Sequence, residues 1–141
     1  MKKLTTVAIF TFCILCTLLY SCSSGPSDQE VISLVTPNGR VLKMEVQKHG
    51  KSKKMGETKV FSYTVFMKFI QPGMTFGYQA ECPEAQCHND IEYENTVEYL
   101  ILKNDWDKWE IYKSNMVEKK EIQRYWRPTS QTMEEFYKDT K

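Results

Sequence analysis

The sequence predicts an α+β fold: a short N-terminal helix packed on a curled antiparallel sheet of about four strands, with a short C-terminal helix. Three observations lead there. Ser27-Asp28-Gln29-Glu30 and Thr132-Met133-Glu134-Glu135 both have the form of a capping box, in which a hydroxyl and the carboxylate three residues on satisfy each other's backbone N–H groups at a helix start. Residues 41–46 and 59–70 alternate with period two, as half-buried strands do. Residues 97–111 read as a hairpin about an Asn104-Asp105 turn.

Ahead of this domain stands an export signal. Lys2 and Lys3 precede an apolar run over residues 4–19, and small polar residues follow it. A membrane-crossing helix needs about 20 apolar residues, so this run is short of a span. Leu19-Tyr20-Ser21-Cys22 resembles the lipobox of bacterial lipoproteins: an aliphatic residue three before the cysteine, a small one directly before it, and the cysteine itself. The resemblance implies cleavage before Cys22, diacylglyceration of its thiol and acylation of the new amino group, including by palmitate. Two chains on one cysteine hold a soluble domain to a bilayer where one binds only marginally, at about 0.8 kcal/mol per buried CH2. Ser23 after the cysteine resembles the pattern sorted to the outer membrane in diderm bacteria. A plain secretory signal and an uncleaved anchor are the competing readings.

The expected division is therefore a signal peptide over 1–21, a lipidated tether over 22–27 and a single domain over 28–141. Cleavage removes 21 of 141 residues and leaves enough chain for one modest core. Loss of Lys2 and Lys3 takes the net charge from +1 to −1, which is no footprint for nucleic acid. Cys13 and Cys16 leave with the signal, so Cys82 and Cys87 are the exported thiols, an even pair in an oxidising compartment that reads as a disulfide.

In chain order, the helix is expected from Ser27 to about Thr36. A hairpin of 31–35 with 41–46 about Pro37-Asn38-Gly39 is its competitor. In the strand 41–46, Leu42, Met44 and Val46 face one way and Lys43, Glu45 and Gln47 the other. Residues 47–54 form a polar loop rich in lysine: Lys48, Lys51, Lys53 and Lys54 with His49. Such a tip is a solvated hairpin end, or a contact for acidic headgroups or an acidic partner. In the central strand, 59–70, Phe61, Tyr63, Val65, Met67 and Phe69 share one face. Residues 74–95 read as a long connection, acidic from Glu81 on and carrying both cysteines. Val97, Tyr99, Ile101, Trp109 and Ile111 point inward in the closing hairpin, and beyond Ser114 the pattern fades.

Chemistry-bearing patterns are sparse. Cys82 and Cys87, with four residues between them, suit a disulfide better than a redox pair, which uses two intervening residues. A metal reading would recruit His88, Asp90 and His49, but the spacing is not that of zinc sites, and the acids 81–94 lack the calcium-loop series and are expected to be solvated. His49 and His88 are the only histidines, and no G-x-S-x-G, H-E-x-x-H or phosphate-cradling loop is present. Neither a catalytic residue, a metal nor a cofactor is expected. Trp109 is expected in the core and Trp126 in a tail packed against it, whereas Trp106 at a turn is the aromatic whose exposure would need a reason.

A helix followed by antiparallel strands and a Trp-bearing last hairpin over 103–111 resembles the small cystatin-like or nuclear-transport-factor-2-like lipoproteins. That resemblance implies a fold and no activity. The expected function is a non-enzymatic envelope lipoprotein, anchored through Cys22, that binds an envelope protein or cell-wall partner through surfaces such as Lys48, Lys51, Lys53, Lys54 and Trp106. A protective, immunity-like role is one form of this. A small-ligand or enzymatic pocket on the concave face of the sheet, and a metal site at Cys82, Cys87 and His88, are the alternatives.

Overall fold

The computed structural model describes residues 25–82 and 84–138. The expected signal peptide, Cys22 and the start of the expected tether lie outside the described residues. Helix α1 (Asp28–Val35) opens with the expected capping box: Ser27 Oγ accepts from the Glu30 N–H, and Glu30 accepts from the Ser27 N–H at 2.8 Å. It stops because Pro37 disfavours the helical region for Thr36, which is extended at ψ 119°. Val31, Leu34 and Val35, spaced for one helical face, turn toward the sheet, and Val31 is fully buried. The competing hairpin does not form. Gly39, at φ 122°, then turns the chain beneath Ile70, where a Cβ would stand 2.2 Å from the Ile70 carbonyl oxygen.

The strands are β1 (Arg40–His49), β2 (Lys53–Met55), β3 (Thr58–Gln71), β4 (Thr75–Phe76), β5 (Cys87–Lys103) and β6 (Trp109–Pro128), joined in one antiparallel sheet. The described residues are thus mainly sheet with two short helices, and the sheet has six strands rather than about four. β1 and β2 both pair with β3 while β5 occupies the other edge of β3, so β2 continues the column of β1. In the same way β4 continues the column of β3 along β5. The two short strands are what sequence alternation could not register: β4 is two residues long and β2 is a lysine-rich triplet.

The expected face of the central strand holds. Tyr63, Val65, Met67 and Phe69 are buried and meet Tyr99, Val97, Asn95 and Tyr93 in register on β5, with α1 laid across them. Full burial of each valine of α1 stabilises by about 2 kcal/mol. Met44 and Val46 of β1 join this core, but Leu42 and Gln47 fall at register shifts, so strict alternation breaks at both. Helix α2 (Met133–Phe136) forms at the second capping box and delivers Tyr137 to the opposite face of the sheet, against Tyr125.

Three segments differ from expectation. β1 runs on to His49, so the lysine-rich loop is shorter than 47–54. β5 begins at Cys87, not near Val97, because its acids are paired rather than solvated. β6 does not fade at Ser114 but continues to Pro128, 20 residues in all. Its middle is an uncovered edge, and exposed edges carry the mixed composition that reads as loop.

Candidate functional site

Strand register divides the molecule into two ends. At one end stand the β2–β3 turn at Gly56, the β5–β6 turn over 104–108 and the N-terminus of α1, since Val60 pairs with both Lys53 and Leu102. His49 Nε2 lies 2.9 Å from Asp28 Oδ1, and Tyr63 Oη donates to the Pro26 carbonyl at 2.7 Å, so the point where the chain enters the domain is fixed to this end. The predicted surface residues gather here: Lys48, Lys51, Lys53 and Lys54 are exposed, and Trp106 is 82 % exposed. Trp106 is also held firmly. Asn104 Oδ1 accepts from the N–H groups of Trp106 (3.0 Å) and Lys108 (3.1 Å), Asp107 takes φ 58°, and Lys103 pairs with Asp107 at 2.7 Å. Trp109 packs edge-on against Phe61 beside the core, and half-buried Trp126 packs edge-on against Phe76.

The other end carries the cysteines. Cys82 and Cys87 are joined as a disulfide with Cα atoms 6.1 Å apart, both buried, which ties the 77–86 loop to the start of β5. The residues of the metal alternative are not assembled: the sulfurs are bonded, His88 Nδ1 is 3.1 Å from Thr75 Oγ1, and His49 sits at the opposite end. Among the described residues no group of three or more His, Cys, Asp or Glu is arranged to hold a metal ion.

Beside the disulfide lies a polar cluster that sequence reasoning missed. Asp90, fully buried, accepts from Arg127 Nε at 2.7 Å, from Tyr137 Oη at 3.1 Å and from the Gly73 N–H at 3.1 Å. Arg127 in turn donates to the Gln131 carbonyl at 2.6 Å. Two residues along the same face, buried Glu92 takes Lys68 Nζ at 3.0 Å and the Tyr125 hydroxyl. Only glycine lets the 72–74 segment approach so closely: a Cβ at Gly73 would stand 1.5 Å from the Asn89 carbonyl oxygen. The expectation that these acids are solvated is therefore overturned for Asp90 and Glu92, which neutralise cations brought from β3 and β6. A signal was present: Asp90 and Glu92 share one strand face, and Arg127 and Tyr125 repeat the same two-residue spacing on the neighbouring strand.

The electrostatics follow from the contacts. Burial first, then the bond to Glu92, pushes the Tyr125 hydroxyl up to about 12. Burial and the neighbouring Asp90 carboxylate hold Tyr137 still further above the usual phenol range. Hydrogen bonds to Glu92 and Glu94 raise Lys68. With both oxygens of Asp90 accepting hydrogen bonds, the cluster fastens the C-terminal segment to the sheet.

On the α1 face, beyond the end of α1, a hollow of about 270 Å3 is lined by Gln71, Phe76, Asn89, Tyr93 and Arg124 among others. Asn89 is 8 % exposed and its Oδ1 has no hydrogen-bond partner. Finally, β6 pairs with β5 on one edge, and among the described residues no strand covers its other edge. Ile111, Tyr112, Met116, Val117 and Ile122 are exposed along it. Three of them, Tyr112, Val117 and Ile122, are the extra residues at the three register shifts between β5 and β6.

Comparison with family models, with curated proteins and with solved structures finds no match for this chain.

Proposed function

We propose that this chain is a membrane-anchored envelope lipoprotein, cleaved before Cys22 and acylated there, acting as a non-enzymatic accessory that binds an envelope protein or cell-wall partner. The observation that carries the partner-binding reading is the uncovered edge of β6. Five apolar side chains, Ile111, Tyr112, Met116, Val117 and Ile122, are exposed along this one strand, and apolar surface gathered at an uncovered edge is where partners dock. The bulges at Tyr112, Val117 and Ile122 interrupt the hydrogen-bond ladder, a common guard against strand addition. A partner would thus be gripped by side chains rather than by a continuous added strand. Support for the anchor is the Leu19-Tyr20-Ser21-Cys22 motif behind its apolar run; Gly25, which lies against Phe61 and Tyr63, follows Cys22 by three residues, at most roughly 10 Å of chain.

Two measurements test this. Intact mass and membrane fractionation of wild type and Cys22→Ser report the lipid; equal membrane attachment and processing of the variant removes the anchor. A photo-crosslinking residue at Val117 should capture a specific adduct that the same probe at exposed Glu57 does not, and equal labelling at both sites removes the β6 partner surface. A small-ligand hollow is the second reading, favoured by the unpartnered Asn89 oxygen in a cleft with Arg124 at its rim. Asn89→Leu without change in any ligand-induced thermal shift across a metabolite panel would remove it.

A further inference from the structure

Resting on the lipoprotein reading, the geometry points to one end of the sheet, carrying Gly25, Lys51, Lys53, Lys54, Met55 and Trp106, lying directly on an anionic bilayer leaflet. The tether reaches only roughly 10 Å, so the end at which it enters is kept within touching distance of the headgroups. Nothing in the sequence requires that end to suit a bilayer, yet it does. Lys48, Lys51, Lys53, Lys54 and Lys108 are exposed there. The acids at the same end are Asp28, Glu30, Glu57, Asp105, Asp107 and Glu110, of which Asp107 is paired with Lys103, so the positive surplus is concentrated at Lys51, Lys53 and Lys54. Basic side chains near an anionic surface attract it over about a Debye length.

Two apolar side chains stand at the two turn tips: Met55 is 44 % exposed beside Gly56, and Trp106 is 82 % exposed on its hydrogen-bonded turn. The two turns close neighbouring strand pairs of one sheet, so they project side by side, separated by only two or three strand spacings of about 4.8 Å. An indole standing in water on a hydrogen-bonded backbone turn gains nothing in solution. At the headgroup level its ring is buried and its N–H stays hydrogen-bonded, which is where tryptophan collects in membrane proteins. β5 spans 17 residues at roughly 3.3 Å each, so the disulfide-tied loop and its acids stand roughly 55 Å from this end, pointing away from a surface that would repel them.

The experiment uses the lipidated chain reconstituted into vesicles of phosphatidylcholine, with and without phosphatidylglycerol. With Cys22 acylated and Cys82 bonded to Cys87, an introduced cysteine is the sole thiol, and Met55→Cys and Tyr78→Cys each take one nitroxide. The expected result is a several-fold loss of access by a water-soluble nickel chelate at position 55 on phosphatidylglycerol vesicles, none at position 78, and restored access when Lys51, Lys53 and Lys54 are all changed to Glu. Equal access at 55 and 78 while the protein still floats with the vesicles overturns the contact and leaves the anchor standing. Equal shielding on both vesicle types overturns the charge argument. A protein that carries no acyl mass and does not float overturns the anchor, and this proposal with it.

Discussion

Asp90 shows how far one buried carboxylate can organise a chain end. It joins β5 to Arg127 of β6, to Tyr137 beyond α2 and to Gly73 before β4, so four segments converge on two oxygen atoms. Replacing Arg127 by Met leaves that carboxylate buried and without its cation, so the variant should lose about 3–5 kcal/mol in chemical denaturation. Asp90→Asn combined with Arg127→Met should lose less than Arg127→Met alone, because no charge is then stranded. A second expectation concerns alkali. The folded state holds Tyr125 and Tyr137 neutral, raised above the usual phenol value near 10, so it binds protons that the unfolded chain releases. Their contribution is fully present below about pH 10 and is lost as pH rises through about 12 for Tyr125. A urea midpoint that falls across this window should fall less steeply in Tyr125→Phe.

At the scale of elements, the helix starts carry their own instructions. Ser27→Ala removes the acceptor for the Glu30 N–H and should cost about 1 kcal/mol, read as a lower urea midpoint with unchanged slope. Glu30 is held below the ordinary carboxylate range, first by the Ser27 backbone N–H and then by the Ser27 hydroxyl, so the cap weakens as pH falls through the acid range. The disulfide closes a small ring, and removing it as Cys82→Ala with Cys87→Ala should cost about 2 kcal/mol. Amide exchange should then rise in residues 77–86 while α1 stays protected. β6 teaches a different lesson. Its residues 110–124 are all exposed, so neither burial nor alternation marks them. They are strand because β5 offers 17 residues of backbone to pair with, and the three bulges each reset the side-chain pattern before a run of alternation can build.

At the scale of the molecule, the chain is a long sheet with helix α1 on one face and Tyr137 locking the other, and with its basic and acidic loops at opposite ends. Local signals were readable from the amino acids: both capping boxes, the Tyr63–Phe69 face, the 104–108 turn and the cysteine pair. Each depends on neighbours within a few residues, where backbone geometry and solvent act directly. What only the tertiary structure decided is everything that needs a distant partner. Asp90 and Glu92 look like solvated acids until Arg127, Tyr137 and Lys68 are brought beside them; β2 and β4 are strands only because β3 and β5 extend past their main partners; and Lys51 and Trp106, far apart in sequence, share an end only through the pairing of Val60 with Lys53 and Leu102. Pairing register is a long-range property, set by which faces can be buried together, and no short window of sequence contains it.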